Sequence, residues 1–383
     1  MKIVIATPIY PPEVGGPATY TIEIEKQLIQ HGHQVTVLTF SNLDNPLLTP
    51  QTIVIDKKLS RWRRIFRFGT ELYQLAKHHD VIYVQNAMAA GLPAVLVGLL
   101  TSKPVVIKFV GDEPWERAAQ RKRTTKELHE FLEHPDGGLT IRLMRLVQRW
   151  VLRRARVVTT PSIYLGDLLH KHYGVARSRL VTNYNAAELA TAAPFATEKK
   201  PHQIVATARL VVWKGIDVLI KSVARLVPTF SDVNLIVHGD GPERANLEAL
   251  AKELQIEDHV VFTGNVSRTE TWHTRQTSAV YVLSSTYEGL PHTALTSFAA
   301  KIPIIATDIP GTNEAVYHEK SGLLVPASDP EALARAIERL FLDGALAANL
   351  VAGGTTILHE KFSWESHTAV LIKLLESCLA KPR

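Results

Sequence analysis

The chain has 383 residues and a single cysteine, Cys378, so an internal disulfide is excluded. A lone thiol suits a reducing compartment, and its place in an apolar C-terminal segment predicts a buried helix residue, not a nucleophile. No Asp-x-Asp pair occurs, which removes the usual carboxylates that hold a divalent ion under a diphosphate. HExxH, a cysteine cluster and a P-loop are also missing, so zinc hydrolysis and P-loop ATPase chemistry lack their side chains. There is no Gly-x-Gly-x-x-Gly, so a dinucleotide cofactor is not indicated. The longest apolar run, residues 87–100, is shorter than the ~20 residues of a membrane span and is broken by Gly91, Pro93 and Gly98. It predicts a buried helix. The opening MKIVIATPIYPP has too short an apolar core for a signal peptide, and none is expected.

What is present is ordinary for a globular protein: 46% apolar and 21% charged residues. The length exceeds what one core supports, so two domains are expected. A net charge of +6 fits an anionic ligand, an anionic membrane surface or nucleic acid. No nucleic-acid recognition motif is visible, and no nucleic-acid partner is expected. The basic residues cluster. Lys57, Lys58, Arg61, Arg63, Arg64 and Arg67 surround Trp62, Phe66 and Phe68, a second cluster holds Arg117, Arg121, Lys122, Arg123 and Lys126, and a third runs from Arg142 to Arg156. Solvated helix faces account for such clusters. The aromatic interleaving of the first also suits peripheral contact with the inner face of a membrane from a cytoplasmic location.

Along the chain, strand-like apolar runs alternate with helical patterns. Strands are expected at 2–7, 35–40, 81–85, 105–109 and 157–160, with a helix at 18–31 closed by Gly32. His31 and His33 flank that glycine as turn residues. An Ala/Thr/Pro/Lys-rich stretch at 186–201 reads as a linker. Alternation then restarts, with strands at 203–208, 234–238, 260–263, 280–283 and 304–306 and helices near 216–227, 243–254, 295–300 and 330–342. The fold class is therefore α/β: two doubly wound, Rossmann-like domains, 1–190 and 201–362, with a final helix within 363–383 that crosses back to the first. Ligands of such sheets sit beyond the carboxyl ends of the strands, and two facing domains would make a deep cleft.

Three segments carry candidate chemistry. The first loop holds Gly15 and Gly16 ahead of a helix, where backbone N–H groups can approach an oxyanion; a structural turn explains it equally. The second domain's first strand runs into Arg209 and, five residues on, Lys214. Two cations at a strand's end suit a diphosphate, one as a fork and one as a point charge. The run from Ser284 to Thr296 follows a strand and opens a helix. It offers the Glu288 carboxylate for sugar hydroxyls and free N–H groups at Thr293 and Ala294 for an anion. Glu314 lies after the next strand, at the same edge.

Over nearly its whole length the chain resembles a family 4 glycosyltransferase of the retaining type, with the GT-B fold. The resemblance rests on PPEVGGPATY, HGHQVTVLT, ARLVVWKGID, HGDGPERANLE with VVFTGNV, YEGLPHTAL, and IIATDIPGTNEAV before SGLLVPASDPEAL. It implies a hexosyltransferase of polysaccharide or glycolipid assembly. The donor would be a nucleotide diphosphate sugar, the acceptor a hydroxyl on a sugar or lipid-linked glycan, and no metal or other cofactor would be needed. Gly16 would contact the distal phosphate, and Arg209 and Lys214 would neutralise the leaving diphosphate. Asn265 and Val266 would meet the base. Glu288 with Gly289 and Leu290 would hold the donor sugar, and the Thr293 and Ala294 amides would cap the phosphate. The family commonly carries a second glutamate eight residues after the first, on the ribose; here Thr296 stands there. Many relatives have a histidine before the glycine of the 105–112 segment, where this chain has Val110; Asp112 is the candidate for the sugar or acceptor hydroxyl, ahead of Glu113 and Glu116, and an N-cap is its alternative role. These departures leave open a non-catalytic nucleotide-sugar binder or assembly subunit, and a same-fold epimerase.

Overall fold

The computed structural model describes residues 1–11, 16–42, 48–49, 51–187 and 198–380. The chain forms two compact units, Met1–Tyr184 together with Trp364–Arg383, and Asn185–Ser363.

The first unit is built on seven parallel strands: β1 (Lys2–Thr7), β2 (Gln34–Ser41), β3 (Thr52–Asp56), β4 (Val81–Val84), β5 (Val105–Lys108), β6 (Val157–Thr160) and β7 (Leu180–Thr182). Their order is β3-β2-β1-β4-β5-β6-β7. The connecting helices are α1 (Gly16–Gln30), α2 (Arg61–His78), α3 (Gly91–Thr101), α4 (Glu113–Gln120), α5 (Leu128–Glu133), α6 (Leu139–Arg154) and α7 (Ile163–Leu168), which runs on into a π turn, Leu169–Tyr173. The second unit has six parallel strands: β8 (Lys200–Thr207), β9 (Asn234–His238), β10 (Val260–Gly264), β11 (Ser278–Leu283), β12 (Ile304–Thr307) and β13 (Leu323–Val325), ordered β10-β9-β8-β11-β12-β13. Its helices are α8 (Ile216–Leu226), α9 (Arg244–Glu253), α10 (Arg268–Thr277), α11 (His292–Ala299), α12 (Pro330–Leu342) and α13 (Gly344–Lys361). Both sheets are doubly wound, as the alternation predicts. Strand order reverses between β1 and β4 in one and between β8 and β11 in the other, and these switch points are where such sheets present ligand crevices.

The strands not anticipated, β3, β7 and β13, all lie at sheet edges and are three to five residues long. With a partner on one side only, they carry less of the continuous apolar run that marks a buried parallel strand. Helix α13 also escaped, because Gly353 and Gly354 interrupt its pattern. Those glycines serve packing: a Cβ on Gly353 would meet the Lys320 carbonyl at 1.8 Å. The 87–100 run needs correction as well. Its helix α3 buries Gly91, Ala94, Val95 and Gly98 but leaves Leu100 76% exposed. The turn at Gly32 adopts φ 81°, and Cys378 is buried, both as expected. Residues 188–197 of the expected linker lie outside the described residues.

The last helix, α14 (Trp364–Ala380), packs into the first unit, where Leu371, Leu374, Leu375 and Cys378 join the core formed by Ile3, Ile5, Ile24 and Leu28. A buried polar chain fixes its start. His367 Nδ1 lies 2.6 Å from the Tyr184 carbonyl, which can only accept, so this nitrogen carries the proton. Nε2 then accepts from Tyr20 Oη at 2.7 Å, and Tyr20 accepts in turn from Tyr83 at 2.8 Å. Asn183 Nδ2 donates back to the His367 carbonyl. The network needs a neutral imidazole. Burial first, then the nearby Lys108 ammonium, push His367 down to about 3, and burial brings Lys108 down to about 7.

A base whose folded-state value is depressed stays neutral in the fold while the unfolded chain takes up a proton. His367 therefore removes stability as pH falls from about 6.5 toward 3, with a slope of at most about 1.4 kcal/mol per pH unit. Urea unfolding between pH 7.5 and 4.5 should show stability falling with acid, and His367→Gln should flatten that dependence while lowering stability at pH 7.5. An unchanged pH slope in the variant would contradict the neutral-imidazole network.

Candidate functional site

At the switch point of the second unit, the loops after β8 and β11 meet backbone to backbone. The β8 loop ends in a 3-10 turn, Val212–Lys214, and Gly215 then adopts φ 60°. A Cβ there would lie 2.1 Å from the Ser284 carbonyl, so only glycine allows this approach. Two hydrogen bonds stitch the loops: Thr286 N–H to the Trp213 carbonyl at 2.9 Å, and Ser284 Oγ to the Lys214 carbonyl at 3.0 Å. The loop after β12 closes the other side. Gly311, at φ 85°, sits where a Cβ would come within 2.4 Å of the Glu288 carbonyl. Glu314 belongs to this same loop, is half-buried, and its carbonyl accepts from Lys361 Nζ at 3.0 Å.

This packing brings two of the expected residues together. Lys214 Nζ and Glu288 Oε1 are 2.6 Å apart, with side chains 21% and 12% exposed. Ser285 Oγ donates to the same carboxylate oxygen at 2.7 Å, and Thr307 Oγ1 donates to the Ser285 carbonyl, tying the pair to the end of β12. Neither Ser285 nor Thr307 was singled out in the sequence. Both side chains are mostly withdrawn from solvent, where hydrogen-bonded ion pairs are stronger than on the open surface. Gly289 is half-buried and Leu290 buried beside them. Arg209, on the same β8 loop, is exposed.

Helix α11 begins at His292, directly after this loop. The expectation of two free amides holds differently for its residues. Ala294 N–H donates to the Pro291 carbonyl at 3.1 Å, because the turn tightens there, whereas Thr293 lies in the opening turn, half-buried. Thr296 is also committed. Its hydroxyl donates within the helix, to the Thr293 carbonyl at 3.0 Å, and accepts from Arg275 Nη1 at 2.9 Å. Arg275 is 5% exposed, lies over the Tyr281 ring at 5.0 Å, and has no carboxylate partner among the described residues. Burial lowers its guanidinium's affinity for a proton, with the Tyr281 side chain opposing. His238, at the end of β9, is buried next to it; burial first and then the Arg275 charge hold it below the usual histidine range. Its Nδ1 bonds Thr263 Oγ1 at 2.8 Å. Arg275 lies outside every motif quoted from the sequence, and His238 opens the HGDGPERANLE segment but was given no role there. Asn265, exposed, and Val266, half-buried, connect β10 to α10, whose Ser267 cap receives the Glu270 N–H.

In the first unit, Gly16 opens α1 at the corresponding switch point, after β1; Gly15 lies outside the described residues. Asp112 requires correction. Its side chain is completely buried and caps α4, accepting from Trp115 N–H at 2.9 Å, Gln148 Nε2 at 3.1 Å and Tyr173 Oη. Burial raises its carboxyl above the ordinary range, and the hydrogen bonds pull the other way. A carboxylate with both oxygens engaged and no solvent exposure is a structural cap, not a group that meets an acceptor hydroxyl.

Comparisons with known proteins bear on what this edge does. The model "Glycosyltransferase Family 4" matches residues 14–191, and "Glycosyl transferases group 1" matches residues 190–356. The lipopolysaccharide core biosynthesis glycosyltransferase LpsD of Rhizobium meliloti is 34% identical over 178 residues, 46% of this chain and 50% of LpsD. The match thus spans about half of that relative's length. An uncharacterized glycosyltransferase of Methanocaldococcus jannaschii, MJ1607, is 23% identical over 96% of this chain and 95% of its own. Among solved structures, Anabaena HepE in complex with UDP and glucose aligns at TM-score 0.78 and 18% identity, covering 98% of this chain and all of that one. WaaG, a glycosyltransferase involved in lipopolysaccharide biosynthesis, aligns at 0.74 and 16% over 97% and 99%. At such identities the structural likeness speaks for the fold, which is GT-B. The two family matches adjoin and together span residues 14–356, with the Lys214–Glu288 edge inside the second: the chain belongs to the family 4 glycosyltransferases.

Proposed function

We propose that this glycosyltransferase moves a hexose, with retention, from a nucleotide diphosphate sugar to a hydroxyl acceptor in cell-envelope glycan or glycolipid assembly. The observation that carries the reading is the Lys214–Glu288 pair at the sheet's switch point. Lys214, helped by Arg209, would neutralise the nucleoside diphosphate as it leaves, in place of a metal ion. Its three donors can face a phosphate while one stays on Glu288. Glu288, with Gly289 and Leu290, would hold the donor sugar, and Thr293 and Gly16 would offer backbone amides to phosphates, the Ala294 N–H being held by the Pro291 carbonyl. Asn265 and Val266 would line the base. Fixed charges placed beforehand at an oxocarbenium-like transition state and its leaving group are often the largest catalytic contribution. The role of LpsD in lipopolysaccharide core biosynthesis and the UDP and glucose in the HepE complex support envelope glycans and a UDP-sugar as first choices.

A second reading, a nucleotide-sugar binder without turnover, is favoured by one observation: the Thr296 hydroxyl is already engaged by Arg275 and its own helix. Peripheral membrane contact is a further part of the proposal. Among the described residues no single helix is long and apolar enough to cross a membrane. However, α3 packs between α2 and α6. The three helices expose Trp62 and Phe66, Leu100, and Leu139 and Leu143, with Arg63, Arg67, Arg142 and Arg149 also exposed on α2 and α6. Phe68 of the same cluster is buried and belongs to the core. An apolar face rimmed by arginines suits an anionic bilayer surface.

Incubated with UDP-, GDP- and ADP-sugars without added metal, the purified chain should release one nucleoside diphosphate, slowly to water and faster with acceptor extract. Lys214→Ala and Glu288→Gln should each lower turnover about 100- to 1,000-fold. Full turnover in both would sink the assignment, and saturable binding without release would favour the binder. Thr296→Glu places a carboxylate within reach of Arg275 and should tighten donor binding about tenfold, by analogy with a gained charged hydrogen bond. Unaltered affinity would mean position 296 does not face the nucleotide. The chain should sediment with phosphatidylglycerol vesicles, and Trp62→Ser with Phe66→Ser should abolish this; equal sedimentation of that variant would rule out the α2 face.

A further inference from the structure

Helix α5 buries Leu128, Phe131 and Leu132, so His129 and Glu133, one turn apart, both project outward. His129 Nε2 and Glu133 Oε1 are 3.4 Å apart. The π turn at Leu169–Tyr173 brings a third donor to the same place. Its His172 ring stands edge-on to His129, centroids 6.1 Å apart, and the ligating atoms of all three residues lie within 4.8 Å of one another. Lys171 Nζ already rests on Glu133 Oε1 at 2.9 Å, so the cluster holds one positive charge.

We propose that His129, Glu133 and His172 form a binding site for a divalent transition-metal ion, Zn²⁺ foremost. The donor set decides the class: two imidazole nitrogens and one carboxylate oxygen suit zinc and its neighbours, whereas Mg²⁺ and Ca²⁺ take oxygen ligands. The spacing agrees. With metal–ligand bonds of about 2.1 Å, adjacent ligands of a tetrahedral ion are about 3.4 Å apart. The His129–Glu133 distance matches this, and small rotations would bring in His172. Water would complete the shell. An arriving ion must displace Lys171 from the carboxylate. Once bound, it would tie α5 to the π turn, whose last residue, Tyr173, holds the buried cap of α4. π turns often mark functional positions in helices. The site lies within the first unit and is independent of the donor reading above.

The test is calorimetric titration and thermal unfolding of the tag-free, metal-stripped chain with Zn²⁺ at pH 7.5. One ion per chain should bind and raise the unfolding midpoint. His129→Gln and His172→Gln should each weaken binding by at least about tenfold, the lower end of what disturbing a metal site costs. Lys171→Gln should tighten it by removing the competing charge, which adventitious adsorption elsewhere on the surface would not do. Mg²⁺ should leave both readouts unchanged. Absence of saturable zinc binding, or binding unaltered in the His129→Gln/His172→Gln double variant, would overturn the proposal. All three positions are at least partly exposed, so the variants should fold.

Discussion

Glycine at 215 and 311 lets backbone touch backbone along the carboxyl edge of the second sheet, and the candidate site depends on that closeness. The β8 loop lies against the Ser284 carbonyl and the β12 loop against the Glu288 carbonyl, so the segment bearing Glu288 is held on both sides by main chain. Lys214 ends one of these loops, and its ammonium therefore reaches the carboxylate without a long, mobile excursion. A side chain at either glycine would push the loops apart by at least the width of a methyl group, and the ion pair would lose its geometry before any contact of its own was changed.

The charges themselves obey the same logic of placement. In the isolated chain Lys214 and Glu288 satisfy each other, and Ser285 supplies a further hydrogen bond to the carboxylate, so neither charge is left buried and alone. Arg275 is the contrast. It is nearly as buried as a core leucine, yet its partners among the described residues are a threonine hydroxyl and an aromatic ring. An uncompensated guanidinium is costly to keep, and its neighbour at 296 occupies the position where the resemblance implies a carboxylate. The two features make one local substitution of charge pattern, visible only when the helix carrying Arg275 is seen against α11.

How much of this was legible in the sequence follows from range. Parallel strands buried on both faces announce themselves as short apolar runs, so the alternating α/β order and both doubly wound sheets could be read directly. Edge strands such as β7 and β13, three residues each, carry too little signal to separate from loops. In the site, Lys214 and Glu288 were found because each stands just past a strand, where α/β sheets present their side chains. Asp112 stands past a strand as well, and there the same rule misled. Its oxygens are used by Gln148 and Tyr173, which are 36 and 61 residues away, and no local pattern encodes such partners. Arg275 was missed for the same reason: its meaning comes from Thr296, 21 residues on, across a helix-to-helix contact.

Asp112 and His367 then show a common principle in the first unit. Each is a titratable group withdrawn from solvent and held in one protonation state by directional bonds, the carboxylate by donors and the imidazole by one acceptor and one donor. Such groups cost desolvation and return geometric definition, because a buried hydrogen bond tolerates little change in direction. Asp112 sets where α4 leaves the carboxyl end of β5, and His367 sets where α14 enters the unit. Apolar burial is non-directional, so these directional bonds add a definition of position that packing alone does not supply.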